Sequence, residues 1–175
     1  MADLPSERLG YQQRPFTNCG VDYFGTFHVA VRRTNEKRWA FLFSCLTTRA
    51  LHLEVVASMD TSSCVMGVER FIARRGTPAI IWSDNGTNFV GAHKELLLCV
   101  ENWNKCAPSL LAHKKIKWKY NPAGAPHHGG AWERMVRSCK HVLYAILGSR
   151  RITDEVLHTS LCLVEQFLNA RPLLP

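Results

Sequence analysis

Three acidic residues stand where solubility alone does not explain them. Asp22 interrupts Val21-Asp22-Tyr23-Phe24-Gly25, a run with a strand's composition. Asp84 follows the apolar run Pro78-Ala-Ile-Ile-Trp82 and is succeeded at once by Asn85-Gly86. Glu133 lies in Gly129-Gly-Ala-Trp-Glu-Arg, at the start of a helical pattern. Crowded together, three carboxylates repel, which raises at least one pKa unless a cation is bound. An oxygen-only ligand set suits Mg²⁺ or Mn²⁺ rather than zinc. Two such ions, ~3.5–4 Å apart, are the usual apparatus of phosphoryl transfer. Each acid also has a plainer reading. Asp22 or Asp84 could cap a turn or pair with an arginine. Glu133 at a helix N-terminus could favour the helix dipole, a stabilisation of ~0.3–1 kcal/mol.

The elements that would bring these acids together can be read from periodicity. Residues 21–29 alternate as a strand, Thr34-Asn35-Glu36-Lys37 reads as a polar turn, and Trp39 to Cys45 is an apolar run suited to a central strand. Leu51-His-Leu-Glu-Val55 alternates apolar with polar, as a half-solvated strand does. From Asp60, Val65, Val68, Phe71 and Ile72 recur at helical spacing up to Gly76, with Glu69, Arg70 and Arg74 on the outer side. A strand over 79–83 ends at Asp84, because Asn and Gly tolerate positive φ and break the ladder. A helix is expected from about Lys94 to Lys105, then a basic strand, Ile116-Lys-Trp-Lys-Tyr120. The stretch 121–130 is Pro- and Gly-rich and reads as a loop; helices follow over 131–147, stopped by Gly148, and 154–170, stopped by Pro172. The expected fold class is α/β: a five-stranded mixed sheet flanked by helices. If the first and fourth strands are neighbours, Asp22 and Asp84 face each other, and the loop before Glu133 can carry it over them.

Composition sets the partners. A chain of 175 residues suggests one domain, with residues 1–16 as a lead-in arm and 17–175 as the core. The charge of +8, from 22 Lys and Arg against 14 Asp and Glu, points to a polyanion, most simply nucleic acid. No apolar stretch approaches the ~20 residues that span a bilayer, and the N-terminus has no secretion signal. The seven scattered cysteines form no C-x-x-C pair, which suits small buried thiols in a reducing compartment. Neither a membrane nor a small-molecule cofactor is expected.

The blocks Val21-Asp22-Tyr23-Phe24-Gly25, Trp82-Ser-Asp84-Asn-Gly-Thr-Asn-Phe89 and Pro126-His-His-Gly-Gly-Ala-Trp-Glu133 resemble the three signature blocks of the retroviral and retrotransposon integrase core. That group is the Asp-Asp-Glu transposases of the ribonuclease H-like fold. Asn121-Pro-Ala-Gly-Ala-Pro-His and Leu168-Asn-Ala-Arg-Pro-Leu are similar to integrases of Bel-Pao elements. The 48 residues between Asp84 and Glu133 exceed the spacing usual in retroviral cores, and Bel-Pao integrases resemble this chain in having the longer insert.

The resemblance implies that Asp22, Asp84 and Glu133 are catalytic and hold one or two Mg²⁺ or Mn²⁺ ions. It implies 3′-end processing and strand transfer into target DNA, with element ends and target DNA as partners and assembly as a homo-oligomer. It also implies work in the nucleus, or in a cytoplasmic virus-like particle. Arg137 and Lys140, four and seven residues beyond Glu133, are the DNA contacts it suggests on that helix; a helix pair of Arg137 with Glu133 is the plainer alternative. Asn85 and His127 in the loops are assigned to DNA too. Lys117 and Lys119 form a second phosphate track or a solvated sheet edge. Leu157, Leu161, Val164 and Leu168 read as core packing. With no zinc module before the core and no basic domain after Pro175, the chain reads as a piece of a longer polyprotein. A ribonuclease H-like nuclease and a non-catalytic, domesticated DNA-binding or assembly protein remain the rival functions.

Overall fold

The computed structural model describes residues 13–84, 87, 89–94, 116–120 and 130–170. Five strands form one sheet: β1 (Asn18–Val31), β2 (Thr34–Cys45), β3 (Leu51–Val56), β4 (Ile80–Ser83) and β5 (Lys117–Tyr120). Their spatial order is β3-β2-β1-β4-β5. β1, β2 and β3 form an antiparallel meander, whereas β4 and β5 add parallel to β1. The long helices are α1 (Thr61–Arg75), α2 (Gly130–Leu147) and α3 (Asp154–Asn169).

Strand alternation divides the core between the two faces of the sheet. On one face, Val21, Phe41, Phe43 and Ile81 pack against Val68 and Phe71 of α1, with the Phe43 and Phe71 rings stacked at 4.2 Å. On the other, Phe24, Leu42, Leu51 and Leu53 meet Leu143 of α2 and the Leu157, Leu161, Val164, Leu168 stripe of α3, which is core as expected. The caps follow the sequence. Asp60 Oδ1 accepts from Ser63 N–H at 2.7 Å and Thr153 Oγ1 from Val156 N–H at 3.2 Å, opening α1 and α3. Gly148, at φ 52°, ends α2 in the left-handed region that a side chain disfavours.

Two local expectations fail for physical reasons. Thr34 to Lys37 belong to β2, not to a turn, and Val31 pairs with Thr34, so the turn is Arg32-Arg33. Arg32 takes φ 54°, a conformation usually signalled by Asn or Gly, so the polar tetrad beside it carries the stronger turn signal in the sequence. The polar residues of β3 are not solvated: His52 and Glu54 are 3% and 2% exposed. Arg70 and Arg74, expected on the outer side of α1, fold back onto Glu54 at 2.8 and 3.0 Å. Helical residues 89–94 begin the helix expected near Lys94, and most of it lies outside the described residues.

Candidate active site

The centre of the sheet sets the geometry. β1 and β4 are parallel neighbours, with Asn18, Cys19 and Gly20 opposite Ile80, Ile81 and Trp82. Asp22 and Asp84 each lie two residues beyond the Gly20–Trp82 pair along their chains. Alternation puts Gly20, Asp22 and Phe24 on the face covered by α2 and α3. Asp22 is half-buried, and its Oδ1 accepts from the adjacent Tyr23 N–H at 2.7 Å. Asp84 emerges exposed beyond the end of β4.

Ser83 fixes the backbone at Asp84. Its hydroxyl is fully buried; it donates to the Asp84 carbonyl at 2.7 Å and accepts from Trp118 Nε1–H at 2.9 Å. An indole can only donate, so the direction of both bonds is determined. Trp118 lies on β5, and this chain of bonds ties that strand to the end of β4. On the opposite face, Lys119 Nζ sits 4.9 Å from the centre of the Trp82 ring, a cation–π contact. Gly20, Trp82 and Lys119 form one cross-strand row.

Gly20 exists for close approach. A Cβ there would lie 2.3 Å from Cε3 of Trp132, so the indole rests directly on the strand backbone. Trp132, 5% exposed, thereby pins the first turn of α2 two residues before Asp22 along β1. Glu133 is the next residue of that helix; its side chain lies outside the described residues, as do Asn85 and His127. Further along α2, Arg137 is exposed and Lys140 half-buried rather than fully open. Lys117 is exposed on β5.

Sequence reasoning missed Ser83, Trp118 and the Gly20–Trp132 contact. The signal that could have found the last is a lone glycine inside a strand pattern, which marks a bulge or a close approach. Among the described residues, no three His, Cys, Asp or Glu side chains group as a metal-ligand set. The fit of a divalent ion therefore rests on the donor chemistry of Asp22 in β1 and Asp84 just past β4, whose carboxylate oxygens suit a hard cation.

Comparison with solved structures gives the architecture its relatives. The chain matches a simian T-cell lymphotropic virus intasome in complex with the PP2A regulatory subunit B56γ, with TM-score 0.64 and 18% identity over 95% of this chain. It spans 59% of that neighbour. The catalytic core domain of BIV integrase matches at TM-score 0.59 and 20% identity, over 90% of this chain and 86% of the other. The HTLV-2 integrase catalytic core domain in complex with magnesium, in a trimeric form, matches at 0.60 and 16%, over 90% and 88%. The fold is that of an integrase catalytic core. No protein-family model matches the sequence, and neither does any curated protein. The expected ribonuclease H-like α/β class is thus the observed one.

Proposed function

We propose that the chain is the catalytic core of a retrotransposon integrase, nearest in its motifs to Bel-Pao elements, acting by metal-assisted phosphoryl transfer on DNA. The observation that supports this reading is the parallel pairing of β1 with β4, in which Gly20 lies opposite Trp82 two residues before Asp22 and Asp84, with Gly20 packed against Trp132, the residue before Glu133. Asp22, Asp84 and Glu133 would hold Mg²⁺ or Mn²⁺. Such ions, when bound, activate the attacking oxygen and stabilise the leaving one.

The chain's own residues supply placement. Ser83 and Trp118 fix the exit of Asp84 from β4. Trp132 seats the start of α2 on Gly20. Lys119, steadied over Trp82, and the exposed Lys117 and Arg137 offer cations to a DNA backbone. DNA and further copies of the chain are the partners this role requires, and the nucleus is where it would act.

Positioning separate DNAs can account for up to ~7–11 kcal/mol of a barrier. A branched DNA that already holds a 3′-hydroxyl beside the phosphate supplies that alignment itself. On it the chain should reseal the branch with Mn²⁺, and Asp22→Asn, Asp84→Asn or Glu133→Gln should each stop the reaction. Cutting of RNA–DNA hybrids with no action on the branch would make the chain a nuclease of the same fold. Inactivity on both, with DNA still bound, would make it a non-catalytic binding protein.

A further inference from the structure

Cys19 and Cys45 face each other across β1 and β2 at the end of the ladder. Leu46 N–H donates to the Asn18 carbonyl at 2.9 Å, and Cys45 N–H turns away to the Ala50 carbonyl at 2.8 Å. Cys19↔Cys45 is therefore a non-hydrogen-bonded antiparallel pair, whose Cα atoms approach to about 4.5 Å. That separation falls within the range a disulfide spans, about 4.4–6.8 Å. Directly opposed residues project from the same face, and both cysteines belong to the core cluster beneath α1.

Both thiols also bond the main chain of a single residue. Cys45 Sγ accepts from the Phe16 N–H at 3.2 Å, while Cys19 Sγ donates to the Phe16 carbonyl at 3.3 Å. One residue's main chain thus touches both thiols.

We propose that Cys19 and Cys45 are a dithiol site that closes to a cross-strand disulfide by exchange with a low-molecular-weight disulfide of the glutathione class. Cys45 is the attacking sulfur. Burial pushes its thiol up, but bonds from Thr47, Thr48 and Phe16 outweigh burial and lower its pKa, whereas burial holds Cys19 well above the ordinary value. The Cys45 thiolate displaces one small thiol and forms a mixed disulfide. Cys19 then loses its proton to water and attacks the Cys45 sulfur, releasing the second small thiol. Two chain thiols are oxidised and one small disulfide is reduced to two thiols.

Both cysteines are essentially inaccessible, 0% and 1% exposed, and Phe16 covers them. Exchange therefore requires the Phe16 segment to lift, or the chain to meet the oxidant while folding.

The test is to refold the whole chain in glutathione buffers of graded oxidation, block remaining thiols, and map peptides by mass. A Cys19–Cys45 linked peptide pair, two hydrogens lighter than the reduced pair, should accumulate as oxidised glutathione rises. Linked protein should unfold roughly 5–10 °C above the reduced form. Cys162→Ser, which removes an exposed thiol, should leave the link unchanged. Cys19→Ala and Cys45→Ala should abolish it; were either to misfold, the peptide map of the unsubstituted chain still decides. Cys19 and Cys45 recovered unlinked at every ratio, while Cys162 becomes glutathionylated, would overturn the proposal.

Discussion

Two sets of carboxylates in this molecule have opposite surroundings. At the β3 edge, Glu54 is 2% exposed and bonds His52, Arg70 and Arg74 at 2.9, 2.8 and 3.0 Å. Glu165 of α3 meets His52 and Arg75 and accepts from the Leu53 N–H at 2.9 Å. These acids tie β3, α1 and α3 together. At the ends of β1 and β4, Asp22 is half-buried and Asp84 open, and what is fixed there is the backbone beneath them. The β3 acids hold their charge inside the protein, while Asp84 lies at the surface. The β3 acids bond their cations directly, whereas at Asp84 it is the backbone that Ser83 and Trp118 hold.

The largest test of this contrast is a pair of substitutions. Breaking a buried ion pair typically costs about 3–5 kcal/mol. The arginines around Glu54 are more than a third exposed, so water recovers part of that. Glu54→Gln should therefore destabilise the fold by about 2–3 kcal/mol. Asp84→Asn should change stability in the absence of metal by no more than about 0.5 kcal/mol, yet should erase the rise in Tm produced by millimolar Mn²⁺. Equal destabilisation by the two, read by urea melts, would remove the distinction.

Gly20 joins the two themes, because here packing serves the open site. Gly20→Ala places a methyl in the Trp132 ring and should cost about 1–3 kcal/mol as overpacking. If Trp132 seats α2 over Asp22, resealing activity should fall further than stability predicts, and Gly20→Ala/Trp132→Leu should recover stability without recovering activity. Parallel recovery of both would reduce Trp132 to core filler.

How much of this was legible in the sequence follows the same division. Asp22, Asp84 and Glu133 stand in local motifs, so their elements could be read from pattern, whereas the β1–β4 adjacency entered only as a condition that the sheet order then met. The β3 cluster could not. His52 and Glu54 alternate as solvent-facing residues do, and only the partners arriving from α1 and α3 make their burial tolerable. The Arg32-Arg33 turn was hidden for a related reason: the hairpin register imposes a positive φ on a residue whose type does not advertise it. Ser83 and Trp118 are 35 positions apart, and nothing local announces a bond between them.

The β3 cluster also carries a pH signature. Burial opposes a charge on His52, but its bonds to Glu165 and Glu54 outweigh burial and raise its pKa above the ordinary 6.5. Its contribution is complete below 6.5 and is lost as pH climbs through the raised value. Burial likewise opposes the charge on Glu54 and Glu165, yet bonds from His52 and from Arg70 or Leu53 lower both from 4.5. Their contribution is present above 4.5 and is lost as pH falls through the lowered values. This edge should therefore be tightest between 4.5 and 6.5. Urea midpoints across pH 5–9 should decline on the alkaline side, and His52→Gln should flatten that decline. An unchanged alkaline slope in the variant would assign it to another group.

The smallest effect separates cations committed to the protein from those turned toward a ligand. Arg70 and Arg74 lie on Glu54 and Arg75 on Glu165, so their charge is already balanced by neighbouring carboxylates. Arg137 and Lys117 are exposed on the elements flanking Asp22 and Asp84. For duplex DNA, the slope of log affinity against log salt falls by roughly 0.9 for every phosphate that a protein no longer neutralises. Arg137→Ala and Lys117→Ala should each flatten that slope by about one unit, with little change in stability. Arg74→Ala should do the reverse, weakening the fold and leaving the slope alone. If Arg74→Ala flattened the slope as much as Arg137→Ala, the charge at the β3 edge would face DNA as well. The inward and outward clusters would then be parts of one binding surface.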